Sequence, residues 1–280
     1  MIYLQSKINH KLLKMKKILY LFITFFVLKT GFSQIGVMEE ITLKEGVEND
    51  YLKLEKMWSN VHEKIHAMGN KAGWFLFKVI PAEEGVKWPP NSSNPWCEYI
   101  IFNIYTDSIQ MSKGWGIGST RKESQAFIRK SNYNKMKSSE ITRLLKIGNL
   151  REKTTYYTIE TVDATIDVGE LKIGDKALIL GVEELNEDYE NFETKWFKTR
   201  HNESILKGQR LAWYLNRINS RSDNAYQPVS HIIFERFNPN PPKNLTNPKP
   251  SFVDKMMTKH GIASRKIHGG LILELVDFKQ

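Results

Sequence analysis

Apolar positions along this chain follow two rhythms, and the order in which they alternate predicts its elements. Short apolar runs of strand character occupy 37–43 (VMEEITL), 73–80 and 97–105. They recur at 176–182 (KALILGV), 211–218 and 229–237, and closing strands follow at 154–163 and 269–278. Between the first two strands of each set the spacing turns helical. Leu54, Trp58, Val61, Ile65 and Met68 predict a helix over 47–69, with a counterpart over 186–206. Gly69 and Gly208 suit the helix ends, where a left-handed residue is easy for glycine. A longer polar-faced helix is predicted at 121–146 and a shorter one at 251–259. Segments 81–95 and 237–250 are rich in proline and polar residues, which excludes helix and makes them surface connections. Each set therefore runs strand, helix, strand, strand, helix, strand.

The two sets also share residues. Asp50-Tyr51 and Trp58 match Asp188-Tyr189 and Trp196. After one inserted residue, His62, Gly69, Trp74 and Lys78 fall on His201, Gly208, Trp213 and Arg217. Tyr99–Phe102 (YIIF) recurs as His231–Phe234 (HIIF). The spacing R-x8-E-x-V-D occurs at Arg151, Glu160, Val162 and Asp163, and again at Arg265, Glu274, Val276 and Asp277. Three blocks in the same order predict a duplicated unit, 36–163 and 176–280, joined by a linker at 164–175.

A βαββαβ unit is ferredoxin-like: an antiparallel sheet with helices on one face. Its other face is bare and needs cover. Two tandem units can press bare face to bare face, giving an α+β intramolecular barrel. The pattern Y-x6-W-x3-H, the following G-W-x-L-[FY]-[KR] and the late E-x-V-D strand resemble the dimeric α/β-barrel superfamily. That resemblance implies the fold. For function it spans cofactor-free oxygenases, haem-degrading enzymes, two-repeat haem enzymes and proteins of no known activity.

Composition alters this picture in one place. The 280 residues carry a net charge of +10, but Lys7, Lys11, Lys14, Lys16, Lys17 and Lys29 lie in residues 1–33 without any acid, leaving +4 for the rest. MKK at Met15–Lys17, a largely apolar run Ile18–Leu28 and KTGFSQ have the form of a secretory signal, with cleavage expected near Ser33-Gln34 and Met15 as an alternative start. The eleven-residue run is shorter than the roughly 20 residues a membrane span takes. The expected destination is the periplasm or the medium, with no membrane attachment after signal removal. The residual charge is too mild to imply a nucleic-acid partner. Cys97 is the only cysteine, so stability must come from packing without an internal disulfide.

Candidate chemistry starts with His62-Glu63-Lys64-Ile65-His66, which matches the H-E-x-x-H zinc-protease motif. The extended motif needs a histidine at position 72, which is Ala72, and the second unit keeps only His201. Helical geometry turns Glu63 to solvent. No metal and no cofactor are expected. His62 and His201 are the repeated histidines, either packed at the sheet boundary or contacting a ligand. Glu160 and Glu274 are expected to face the barrel interior, with Leu271, Leu273 and Leu275 beneath the helices. Arg217, Lys78, His231 and Tyr99 are their candidate partners. Trp58, Trp74, Trp196 and Trp213 are expected in the core, and Trp88, Trp96 and Trp115 at a cleft mouth. Gly114-Trp115-Gly116-Ile117-Gly118 lacks the lysine and strand of a phosphate loop.

Two functional readings follow. The first is a protein binding a small apolar or amphipathic molecule in a barrel pocket. The second is an enzyme of the cofactor-independent monooxygenase or haem-handling type, and a zinc protease is the weakest alternative. A monomer, as an internal pseudo-dimer, or a weak homo-oligomer is expected.

Overall fold

A computed structural model describes residues 34–82, 88–93, 95–242 and 249–280. The leader and parts of both proline-rich connections lie outside the described residues. Eight strands form the frame: β1 (Ile35–Leu43), β2 (Gly73–Ile80), β3 (Tyr99–Tyr105), β4 (Arg151–Ala164), β5 (Lys176–Glu184), β6 (Arg210–Arg221), β7 (His231–Phe237) and β8 (Arg265–Lys279). They close into an antiparallel barrel in the order β1-β3-β2-β8-β5-β7-β6-β4. The first four strands run 4-1-3-2 and the last four run 8-5-7-6, which is the same ferredoxin-like order twice. Pairings β2–β8 and β4–β6 close the ring. The fold is thus α+β, a dimeric α/β barrel built within one chain. Among the described residues no helix is long and apolar enough to cross a membrane.

Helix α1 (Glu48–Ala67) starts with Glu48 and Asp50 in its first turn, where acids complement the helix dipole. It is followed by Gly69 at φ 72°. The region expected as one helix over 121–146 is instead α3 (Arg121–Ser131) and α4 (Ser138–Leu144), preceded by a short α2 (Ser108–Ser112). The break centres on Asn132. Asn132 donates to the Ile128 carbonyl at 2.9 Å and accepts from Asn60 of α1 at 2.8 Å, and Asn134 takes φ 60°. A Thr120–Glu123 capping box starts α3.

The counterpart of α1 is α5, which runs Tyr189–Asn191, a π-helical stretch Phe192–Phe197, then Lys198–Leu206. The π stretch absorbs the one residue inserted between Trp196 and His201 relative to Trp58 and His62. Both histidines therefore reach the same place: His62 stacks on Trp74 at 4.9 Å and His201 on Trp213 at 4.8 Å. Helix α6 (Phe252–Ala263) packs Gly261 against Phe197, where an added Cβ would lie 2.6 Å from the ring. Each long helix also reaches across to the other half. Lys56 of α1 pairs with Asp277 of β8 at 2.9 Å, and Lys198 of α5 pairs with Asp163 of β4 at 2.5 Å.

The strand faces correct one expectation. Leu271, Leu273 and Leu275 point into the barrel with Phe77, Phe102, Ile159 and Ile179. Phe77, Phe102 and Phe234 fill its centre edge to face, with centroids 5.6–6.0 Å apart. Strand alternation then puts Glu160 and Glu274 on the outer face, not the inner. The expected neighbours are nevertheless right in register, since Glu274 is opposite Lys78 and Glu160 opposite Arg217. The reason for the inversion is that the larger apolar set goes to the barrel, which excludes water on every side, while a helix covers the outer face only in part. Cys97 is buried in this interior, and burial pushes its thiol far above the usual range. The carboxylate on the inward parity of β1 is Glu40, which accepts from Trp96 Nε1 at 2.9 Å.

The face assignment is tested by two neighbouring truncations. Leu273→Ala should cost about 2–5 kcal/mol and lower the melting temperature accordingly, whereas Glu274→Ala should stay within about 0.5 kcal/mol of the parent. Thermal denaturation reads both, and a larger loss for Glu274→Ala would restore the opposite facing.

Candidate active site

Polar residues shared by the two halves gather in the layer between the long helices and the outer sheet face. In the first half they form a continuous chain. His62 Nδ1 lies 3.1 Å from Lys71 Nζ, and Lys71 donates to Asn103 Oδ1 at 2.6 Å. Asn103 donates to Glu39 at 3.0 Å. Arg151 then bridges Glu39 at 2.9 Å and Glu55 at 3.1 Å. Each member comes from a different place in the fold. Glu55 and His62 are on α1, Glu39 on β1, Asn103 on β3 and Arg151 on β4, while Lys71 precedes β2.

Above this chain lies a cleft of about 460 Å³. Trp58, Trp74, Trp115, Tyr105 and Tyr156 supply aromatic wall, and Glu39, Glu55, Arg151, His62 and Asn103 supply polar groups. Trp115 reaches in from the loop between α2 and α3. It meets His62 edge-on at 5.0 Å and Trp58 at 5.9 Å, and donates to Tyr105 Oη at 3.2 Å. Lys71 sits behind this wall, 1% exposed, with Nζ 4.4 Å from the Trp115 ring centroid.

Burial controls the electrostatics. It lowers the Lys71 ammonium from 10.5 to about 7, and Glu39 only partly opposes it. Burial, reinforced by Lys71, holds His62 well below 6.5, so its imidazole is neutral. Burial raises the Glu55 carboxyl to about 7 against the pull of Arg151. The result is a site that can hold a proton on either of two groups near neutral pH.

The second half repeats the plan with different residues. Arg210 replaces Lys71, bonding His201 at 2.8 Å and Glu235 at 2.6 Å, and Arg265 pairs with Glu193. Strand register puts Leu180 where the first half has Glu39, and Phe237 where it has Tyr105. Leu180 is buried in apolar packing there.

Of the residues expected to form a site, His62 lines the cleft, and His201 holds the equivalent place in the other half. The others do not join them. Lys78 and Tyr99 both converge on Glu48, at 2.8 and 2.6 Å. Arg217 and His231 both converge on Glu190, the imidazole at 2.9 Å. Glu160 and Glu274 stand at the two sheet junctions, where Glu160 accepts from Asn219 at 3.0 Å. Trp115 lines the cleft as expected, and Trp58 lines it too instead of lying fully in the core. Lys71, Glu39 and Glu55 were not anticipated. Two of the three left a signal in the repeat, because Lys71 aligns with Arg210 and Glu55 with Glu193. Glu39 has none, being peculiar to one half.

The zinc motif does not assemble. His62 turns inward to Lys71, His66 Nδ1 engages the Lys71 carbonyl at 3.0 Å, and Glu63 pairs with Lys135 at the surface. Haem ligation fits no better. The His62 ring is enclosed by Trp74 and Trp115, its Nδ1 faces Lys71, and the residue is 3% exposed, which leaves no room for a haem plane beside it. His201 is similarly held by Trp213 and Arg210.

No family model matches the chain, and no curated protein does. Solved structures do resemble it. A protein of Lactobacillus acidophilus provisionally named a monooxygenase is 12% identical over 89% of this chain and 96% of that one, with a TM-score of 0.49. One of Fusobacterium nucleatum, named in the same way, is 15% identical over 90% and 95%, with a TM-score of 0.48. An anthrone oxidase-like protein is 9% identical over 89% and 94%, with a TM-score of 0.45.

The Lys71 setting predicts a pH dependence. Between about pH 7 and 10.5 the unfolded chain holds the Lys71 proton and the folded chain has released it. This contribution to stability therefore grows as pH rises through that window and is lost as pH falls through it, amounting to a few kcal/mol on the order of the shift. Denaturant melts at pH 7 and 9.5 should show a steeper pH dependence for the parent than for Lys71→Met. Parallel profiles would mean that Lys71 keeps an ordinary pKa.

Proposed function

We propose that this chain binds a small amphipathic ring-bearing molecule in the cleft beneath α1. The observation supporting this is the division of the cleft wall. A flat apolar body can lie among Trp58, Trp74 and Trp115, while a hydroxyl or similar polar group reaches the Glu39–Arg151–Glu55 set. The pocket is thus outside the barrel, under a helix, because the space between the sheets is filled by side chains.

A second reading, a cofactor-independent enzyme of the oxygenase type, is supported by the His62–Lys71 pair. With Lys71 neutral, His62 can donate from Nδ1 to the amine while Nε2 accepts a proton from an acidic ligand. The proton would then rest on Lys71, whose pKa near 7 suits that role.

The binding reading is tested with 2-naphthol and naphthalene, followed by tryptophan fluorescence. A buried hydrogen bond to a charged group is worth about 1.5–3 kcal/mol, so 2-naphthol should bind at least about tenfold more tightly. Trp115→Ala should weaken both probes. Equal affinity, or binding indifferent to Trp115, would refute this reading.

We also propose that the chain arose by duplication of a ferredoxin-like unit and is exported. The matched blocks of the two halves support the first, and the lysine-rich start with its short apolar run supports the second. Expressed with its leader in a bacterial host, the chain should leave the cytoplasm and begin near Gln34. Quantitative cytoplasmic retention of the uncleaved chain would refute export.

A further inference from the structure

Buried lysines are nearly always paired with a carboxylate. Lys71 is not: among the described residues its Nζ bonds only Asn103 Oδ1 and His62 Nδ1, both uncharged partners, and Glu39 is reached through Asn103. The amine lies one side chain behind the cleft, since His62, Asn103 and Trp115 all line it. Of these, Trp115 is 4.4 Å from Nζ at its ring centroid and is carried by a loop in which Gly114, Gly116 and Gly118 take φ of 64°, 67° and 100°. Rotation of that indole away from Tyr105 would open Nζ to the cavity. The other half is a natural control. Its equivalent is Arg210, which is held by Glu235, and a guanidinium is no nucleophile near neutral pH.

We propose that Lys71 captures carbonyl compounds, its ε-amine forming an imine with an aldehyde or ketone admitted to the cleft. The amine lone pair attacks the carbonyl carbon, and the carbonyl oxygen takes up a proton to give a carbinolamine. Loss of that hydroxyl as water, protonated by solvent while the nitrogen gives up its remaining N–H proton to solvent, leaves the imine. Hydrolysis reverses the step, so no oxidant or reductant is needed. Desolvation of the amine favours the neutral, nucleophilic form at the pH where exposed lysines are almost wholly charged. The inference uses the same cleft as the binding reading but requires only a carbonyl there, not an aromatic ligand.

The test uses the full chain with propionaldehyde and, separately, 2-naphthaldehyde at pH 7, in the presence of sodium cyanoborohydride. The hydride reduces any imine to a stable secondary amine, and peptide mass mapping locates it. Lys71 should be labelled at least about tenfold more than the average exposed lysine, because a pKa near 7 leaves about half of the amine neutral at that pH. Trp115→Gly should speed labelling of Lys71 by propionaldehyde several-fold while leaving exposed lysines unchanged. Propionaldehyde is small enough to need no ring-binding wall. Labelling of Lys71 without 2-naphthol binding would keep this inference and remove the aromatic-ligand reading. Binding of 2-naphthol with Lys71 unlabelled in both the parent and Trp115→Gly would overturn this inference alone. Labelling of Lys71 only after the chain is unfolded in urea would overturn it too.

Discussion

The closure of the sheet is the constraint on which the rest of this molecule depends. Each half has four strands with one face covered by helices, and the other face cannot be left in water. Pairing β2 with β8 and β4 with β6 encloses both bare faces in one interior and leaves no free sheet edge. Everything else is sorted by that event. Phenylalanines and leucines go inward, and the repeated polar residues go outward into the layer under the helices.

That layer is where the two similar halves differ. Both keep the stacked histidine and tryptophan, a basic residue beside them, and an arginine–glutamate pair. In the second half the corresponding positions hold a guanidinium and Leu180. In the first, Glu39 replaces a leucine, a lysine replaces the arginine, and Trp115 arrives from a loop. A carboxylate and a large indole keep the walls apart where an aliphatic side chain would let them collapse.

The same substitution alters the chemistry. Arg210 stays charged in any setting, so it can accept a buried carboxylate and serve only as structure. Lys71 can lose its proton, so burial without a paired carboxylate changes its state instead of excluding it from the core. Its neighbour His62 is neutral for the same reason. A lysine that can gain or lose its proton near neutral pH thus follows chiefly from desolvation.

Periodicity and the matched blocks were enough to determine the order of the strands and the place of the two long helices, the ferredoxin-like pairing within each half and the closing of the barrel, because each depends on local spacing and on burying an apolar face. The repeat also pointed to His62, Lys71 and Glu55 as special, though only His62 was singled out. Which face of β8 lies inward was not legible: Leu271–Leu275 and their alternates offer two apolar-rich faces, and only packing against Phe77 and Phe234 across the barrel chooses between them. The break at Asn132 depends on a partner, Asn60, that lies 72 residues away. The cleft itself is decided by tertiary structure, since Glu39, Lys71 and Trp115 come from a strand, a turn and a loop that no sequence period connects. The charge states of Lys71 and His62 are decided there too, because desolvation is a property of what surrounds a group after the chain has folded.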